Sequence, residues 1–250
     1  MKLIVNADDF GFSEGVNRGI VEAYQNGIVT SCSVMMTMPA LTHAKVLAQK
    51  NPELKLGLHL NMTLGRPLTN CISLIKENGF FYKPKEKPDI NKFLKSEIKI
   101  EFLAQYKKFI SEFKRKPTHL DTHLYAHQIY GVVKEVISEI SEEKNIPVRD
   151  LDTPGFKKAY FIDWFKVCKN ETEDAIWLRL EENKQLILSQ EIAELMVHPA
   201  WPDNYLCKHS SYNKQRLIEL KILTSDRIKT FVKENKIILT DFEEEILWRK

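Results

Sequence analysis

The sequence lacks any apolar run of bilayer-spanning length, any CxxC pair, any concentrated basic stripe and any low-complexity tract. Each absence removes a class of protein. Without about 18 consecutive apolar residues, no helix is expected to cross a membrane. Four cysteines, Cys32, Cys71, Cys168 and Cys207, stand far apart. They form no zinc knuckle and suit a reducing compartment. A net charge of +3, from 37 basic and 34 acidic residues, is too balanced for a nucleic-acid surface. No basic leader or cleavage site precedes the first apolar residues, so a cytoplasmic location is expected. No internal repeat or clear linker divides the 250 residues, and one domain over 1–250 is expected.

What is present begins with Leu3-Ile4-Val5-Asn6-Ala7-Asp8-Asp9-Phe10-Gly11. A short continuous apolar run reads as a strand buried on both faces of a parallel sheet. Asp8 and Asp9 then lie at its carboxyl end, which faces the ligand crevice in α/β folds. Adjacent carboxylates repel, and a proton, a cation or a metal usually neutralises one of them. The plainer alternative is one Asp capping the next helix and the other solvated.

Further strands are expected at Thr30–Thr37, Leu54–Thr63, Thr118–Thr122, Pro147–Arg149, Glu194–Val197 and Lys236–Thr240. Helices are expected over Glu14–Asn26, with Ser13 as N-cap and Gly27 as left-handed terminator, and over Ala40–Lys50, Asn91–Phe113, Tyr125–Lys144 and Glu181–Ile192. One or two more fall within Tyr212–Asn235. The segment Gly65–Ile90 is long and irregular, as functional loops often are. Roughly seven parallel strands alternating with helices indicate an α/β fold, an irregular, distorted TIM-like β/α barrel.

The second polar knot is His119-Leu120-Asp121-Thr122-His123-Leu124-Tyr125-Ala126-His127. On an extended chain His119, Asp121 and His123 share a face. If a helix starts near His123, His127 lies one turn above it, and the two can converge on one ion. Five of the seven histidines, His59, His119, His123, His127 and His198, fall at or just beyond expected strand ends. His43 and His209 read as ordinary surface residues. Any one buried histidine is most simply bonded to backbone. Several of them, gathered with Asp8 and Asp9 at one rim, are what a catalytic metal site requires.

These residues resemble a known family. Asn6-Ala7-Asp8-Asp9-Phe10-Gly11, Gly57-Leu58-His59, Thr118-His119-Leu120-Asp121-Thr122-His123 with His127, Val197-His198-Pro199 and Ser211-Tyr212-Asn213-Lys214-Gln215-Arg216 are similar, in that order, to the YdjC-like carbohydrate deacetylases. The similarity runs over nearly the whole chain and is weakest at 65–90 and 157–183. The resemblance implies a distorted α/β barrel and one divalent cation held by Asp9, His59 and His123. It implies Asp8 as general base and His198 as general acid. It also implies magnesium and a homodimer. This chain departs from many members at Leu124 and Tyr125, where they carry additional histidines, and at Ala200, where they carry glycine.

The chemistry expected is removal of an N-acetyl group from a small acetylated amino sugar or short oligosaccharide, with release of acetate. Asp121 would orient His123 or His198, or serve as a buried strand carboxylate bonded to backbone. Arg149 would bind a substrate hydroxyl or pair with Asp8, against a plain surface or helix-end role. Phe80, Phe81, Tyr82, Trp201 and Tyr205 could stack on sugar rings, although single aromatics usually serve packing. Two His and a carboxylate would accept zinc or another transition metal readily, whereas magnesium prefers oxygen. The rival readings are a metal-dependent phosphoesterase acting on a sugar phosphate, normally with two ions, and a non-catalytic sugar-binding protein on the same fold.

Overall fold

A computed structural model describes residues 1–243; the end of the domain expected over 1–250 lies outside the described residues. The chain runs β1 Lys2–Phe10, α1 Glu14–Gln25, β2 Ser31–Val34, α2 Leu41–Lys50, β3 Lys55–Leu60, α3 Lys95–Phe113, β4 Leu120–Thr122, α4 Ala126–Ile129, α5 Gly131–Lys144, β5 Tyr160–Ile162, α6 Glu173–Leu188, β6 Ile192–Val197, α7 Asn204–His209, α8 Lys214–Thr224, α9 Asp226–Glu234 and β7 Ile238–Thr240.

β1 is the centre of the sheet because Leu3, Ile4, Val5 and Ala7 are buried on both of its faces. One edge pairs with β6 over Lys2–Ala7. The other edge is shared. Lys2–Ile4 pair with β7, and the stretch from Asn6 to Phe10 pairs with β2. The order is β4-β3-β2-β1-β6-β5, with β7 on β1, and every ladder is parallel. Among the described residues no ladder joins β4 to β5, so the sheet curls into an open, irregular barrel. The α/β barrel-like fold with seven parallel strands is therefore observed.

The strand roster differs at one place. Pro147–Arg149 contributes only isolated bridges, from Val148 to Leu120 and to Leu151. Tyr160–Ile162 forms β5 instead, in a stretch without visible periodicity. Three residues are too few to show alternation.

Ser13 caps α1, accepting from the Val16 amide, but Gly27 is not a left-handed terminator. A Cβ on Gly27 would lie 2.4 Å from the Leu223 carbonyl oxygen, so close packing against α8 selects glycine there. The helix expected over Tyr125–Lys144 is two helices, α4 and α5, separated by extended Tyr130. Helix α6 covers Glu173–Leu188 rather than Glu181–Ile192, because Ile192 begins β6.

The long segment 65–90 crosses the carboxyl end of the barrel and is tied down at its root. Glu101 of α3, fully buried, accepts from the amides of Leu68 and Thr69 and from the Thr69 hydroxyl. No helix among the described residues is long and apolar enough to cross a membrane.

Candidate active site

The carboxyl ends of β1, β3, β4 and β6 open onto a cavity of about 710 Å³. In a regular strand Asp8 and Asp9 would point to opposite faces. Here the register against β2 shifts between Ala7 and Phe10, and Asp9 adopts a left-handed φ of 75°. The bulge brings both carboxylates to the same cavity. Asp9 is a non-glycine residue held in an unfavourable region, which is common at functional sites.

Asp9 Oδ1 is buried and has no hydrogen-bond partner among the described residues. It lies 3.4 Å from His59 Nε2 and 3.9 Å from His123 Nε2. The other nitrogen of each ring is engaged. His59 Nδ1 is 2.7 Å from Asp121 Oδ1, and His123 Nδ1 is 2.6 Å from Thr63 Oγ1. Asp9 Oδ2 is held by Arg216 Nη2 at 2.6 Å. The Asp9 carboxylate oxygen thus stands beside both imidazole nitrogens, and each donor is braced from behind as metal ligands are. Ligands about 2.0–2.2 Å from one ion sit roughly 3.3–3.6 Å apart at the tetrahedral angle, and the two Asp9–His separations, 3.4 and 3.9 Å, lie within and just beyond that range. One carboxylate and two imidazoles form a donor set of the type that binds a divalent cation.

Burial would raise the Asp9 carboxyl, but Arg216 and the two imidazoles outweigh it and hold it well below the usual carboxylate range. Burial would lower His59, yet Asp121 and Asp8 raise it to about 10. For His123 burial prevails, and its value falls to about 4.

Among the described residues, the acidic and imidazole donors that all lie within 4.8 Å of one another are those of Asp8, His59 and Asp121. The oxygens of this trio are already committed to a cation. Arg149 reaches both oxygens of Asp8 at 2.7 Å, Asp121 Oδ2 at 3.0 Å and Glu194 Oε1 at 2.7 Å. Ser33 donates to Asp121 at 2.7 Å, and Asn6 donates to Asp8 at 2.9 Å. Arg149 is thus the cation that the buried carboxylates of Asp8, Asp121 and Glu194 share. One guanidinium cannot neutralise three buried carboxylates equally. Burial outweighs Arg149 at Glu194 and pushes it up to about 7, while Arg149 and His59 outweigh burial at Asp8 and Asp121 and lower both.

His198, at the end of β6, lines the same cavity. Its Nδ1 is buried, without a hydrogen-bond partner among the described residues, and lies 3.9 Å from Glu219 Oε1. Burial and Arg216 lower it to about 3. Glu219 is fully buried and pushed up to about 7 by burial. It accepts from the His198 amide and from the Tyr212 hydroxyl, which itself accepts from the Val167 amide at 2.8 Å.

Tyr212, Arg216 and Glu219 were not among the expected site residues. Arg216 and Glu219, three residues apart, share a face of α8, and Tyr212 lies just before its N-cap Asn213. That placement, within and just beyond the Ser211–Arg216 motif, was the available signal. Thr63, Ser33, Glu194 and Lys166, the last of which also lines the cavity, carried no comparable one.

His127 does not join His123. Leu124 and Tyr125 both have positive φ, 53° and 58°, so the helix starts at Ala126 and no i, i+4 pair forms. His127 instead bonds the Thr122 hydroxyl at 2.7 Å and the Arg149 carbonyl at 3.0 Å. His119 lies on the same side as Asp121, with Nε2 4.0 Å from Asp121 Oδ2, and is stacked on Phe242 at 3.9 Å and against Gly57. His43 bonds Asn17, and His209 stacks on Tyr205 at the mouth of the cavity.

The five expected sugar-stacking aromatics do not line the cavity; Phe12, Tyr125 and Tyr212 do. Phe81 is buried, Tyr82 packs on Phe93, and Trp201 donates to Glu22 at 2.7 Å.

A family model described as YdjC-like protein matches residues 2–234. Carbohydrate deacetylase 2 of Listeria innocua is 40% identical over 247 residues, 98% of each chain. A crystal structure of a protein from Enterococcus faecalis V583 has a TM-score of 0.85 at 28% identity, covering 97% of this chain and 98% of that one. The peptidoglycan deacetylase PdaC from Bacillus subtilis has a TM-score of 0.53 at 12% identity, with 97% and 90% covered, and shares the fold.

Proposed function

The chain belongs to the YdjC-like protein family, and from that premise we propose that it is a metal-dependent carbohydrate deacetylase, a hydrolase that cleaves a linear amide bond. Its substrate in this reading is a small N-acetylated amino sugar or short oligosaccharide. The observation that carries the reading is that Asp9 Oδ1, unpartnered among the described residues, lies 3.4 Å from His59 Nε2 and 3.9 Å from His123 Nε2, each donor braced by a separate partner.

These three residues would hold one divalent cation. When bound, that ion lowers the pKa of water and polarises a carbonyl. Two imidazoles beside one carboxylate favour zinc or another transition metal over the magnesium of the family resemblance.

Asp8 takes the proton as water attacks the acetamide carbon. Arg149 keeps it ionised, and Asn6 and Ser33 fix its plane. His198, across the cavity, gives a proton to the leaving nitrogen, which departs poorly as an anion. Asp121 holds His59 in the tautomer that leaves Nε2 free, and Arg149 holds Asp8. His127 props the backbone of Arg149. The products are acetate and a free amino sugar.

The phosphoesterase reading finds less support. It calls for two ions, and Arg149 fills the position beside Asp8 and Asp121. A homodimer, a cytoplasmic location and one domain over residues 1–250 complete the proposal.

The test is acetate release from a panel of N-acetylated mono- and disaccharides, with and without chelator, together with metal analysis of protein purified without added salts. Asp8→Asn should keep its metal and lose about 10²–10⁴-fold in turnover. Near wild-type turnover in that variant removes Asp8 from the base role. Chelator-insensitive acetate release overturns the metal-dependent reading.

A further inference from the structure

Glu219 is a fully buried carboxylate that neither holds Asp9, His59 nor His123 nor pairs with Arg149. Its Oε2 accepts the His198 amide, which fixes the end of β6 against α8. Its Oε1 accepts the Tyr212 hydroxyl and lies 3.9 Å from His198 Nδ1. That nitrogen is buried, without a hydrogen-bond partner among the described residues, and faces the carboxylate. The ring nitrogen left for the cavity is Nε2.

We propose that Glu219 is the positioning residue for proton delivery: it holds the His198 imidazole through Nδ1, so that Nε2 hands its proton to the leaving nitrogen. This rests on the deacetylase reading above.

The proton count closes. A neutral His198 protonated at Nε2, beside a protonated Glu219, holds the same protons as an imidazolium beside a carboxylate. A small ring movement closes the 3.9 Å gap and transfers the Glu219 proton to Nδ1. As the C–N bond breaks, its electron pair stays on nitrogen, which takes the Nε2 proton. His198 is left neutral with Nδ1–H donated to ionised Glu219. The proton that Asp8 took from water returns to the pair through solvent.

The surroundings suit this store. Glu219 is pushed up to about 7 by burial, against the lowering effects of Tyr212, the His198 amide, Arg216 and Lys166. His198 is lowered by burial, Arg216 and Lys166, and raised by Asp8 and Asp9. An isolated His198 would be a neutral ring at pH 7, and a carboxylate contact is what lets it carry the second proton. The same helix face supplies Arg216 to Asp9, so the first two turns of α8 brace both halves of the reaction.

The experiment compares wild type, Glu219→Gln, Glu219→Asp and Tyr212→Phe on an N-acetyl amino sugar and on 4-nitrophenyl acetate, whose leaving group needs no proton. Glu219→Gln is expected to lower kcat on the amide about 10–100-fold at unchanged KM. The amide-to-ester rate ratio should fall about tenfold or more. Glu219→Asp should recover part of the loss. Should Glu219→Gln not fold, Tyr212→Phe is expected to lower the same ratio. An unchanged ratio, with both substrates slowed together or neither slowed, overturns the proposal.

A second arm needs no turnover. In metal-free protein with 15N-labelled histidine, the His198 titration midpoint should fall in Glu219→Gln. A midpoint that stays put overturns Glu219 as the partner. Absence of acetate release by wild type would instead overturn the deacetylase reading, while this arm still decides the Glu219 contact.

Discussion

Arg149 grips Asp8 through both oxygens, with Nη1 2.7 Å from Oδ2 and Nη2 2.7 Å from Oδ1. The same side chain reaches Asp121 and Glu194, and all four groups are buried. Removing one partner of a buried pair leaves the others without compensation. Arg149→Met should therefore destabilise the fold by about 3–5 kcal/mol, measured by urea unfolding at pH 7. Arg149→Lys, which keeps the charge and loses the fork, should fall between it and wild type. Arg149 and His59 together outweigh burial and hold the Asp8 carboxyl below its ordinary value. The stability from a lowered carboxyl is complete above its unfolded value, near 3.9, and is lost as pH falls through the folded value. Acidification below about pH 4 should cost wild type more stability than Arg149→Met. Equal acid sensitivity would show that the pair contributes nothing through Asp8.

Arg216 and Thr63 stand behind two of the proposed cation ligands, Asp9 and His123. Arg216 fixes Asp9 through Oδ2 so that Oδ1 stays free, and Thr63 fixes His123 through Nδ1. Loss of such partners usually weakens metal binding about 10–100-fold. Arg216→Gln and Thr63→Val should each show that loss in competition with a chromogenic chelator. His127→Gln should not, because His127 bonds Thr122 and the Arg149 carbonyl instead. Weakened metal binding in His127→Gln, comparable with the other two, would place His127 in the cation's own shell.

Particular residues show why some of this was legible in the sequence and some was not. The apolar run before Asp8 and the alternation around His59 depend on local periodicity, so β1, β3 and the rim position of His59 could be read directly. β5 has three residues, too few for any period. The break at Leu124 and Tyr125 has no local signature, since neither is a glycine, and it alone separates His127 from His123. The shared direction of Asp8 and Asp9 depends on a bulge that appears only when β1 is paired with β2. Arg216 and Glu219 share a face of α8 and Tyr212 precedes its N-cap, but that this end of the helix meets the barrel mouth is a fact of packing. Periodicity reveals what a segment is; it does not reveal which neighbour its polar face will find.

Glu194 makes a pH prediction in the opposite direction from Asp8. Burial pushes it up to about 7, and its Oε2 has no partner among the described residues. A carboxyl raised on folding binds its proton more tightly in the folded state. Its stability contribution is complete below the unfolded value, near 4.3, and is lost as pH rises through about 7. Wild type should lose stability between about pH 5 and pH 8, and Glu194→Gln, which mimics the protonated group, should flatten that slope. At pH 5 the variant should lie within about 0.5 kcal/mol of wild type. A slope unchanged by the substitution would mean that Glu194 is ionised in the fold and fully compensated by Arg149.

Gly19 tests whether the position of His198 depends on how closely α1 approaches the strand-end loop. By helix propensity alone, Gly19→Ala should stabilise α1 by about 1 kcal/mol. Packing argues the reverse. A Cβ on Gly19 would lie 2.4 Å from the Ala200 Cα and 2.8 Å from its nitrogen. Residues 198–201 are wedged between two helices: the Ala200 amide donates to the Arg216 carbonyl of α8, and the Trp201 amide donates to the Gly15 carbonyl of α1. The loop has no free side toward which to retreat, so the displacement passes to His198 and to the Glu219 contact. Overpacking of this kind costs about 1–3 kcal/mol. Gly19→Ala should lower both stability and kcat while leaving metal content intact, because Asp9, His59 and His123 lie on other elements. Adding Ala200→Gly should not restore either property, since the clash is with backbone atoms that glycine also has. Restoration by Ala200→Gly would show instead that the Ala200 methyl group, not the approach of the two backbones, sets the spacing.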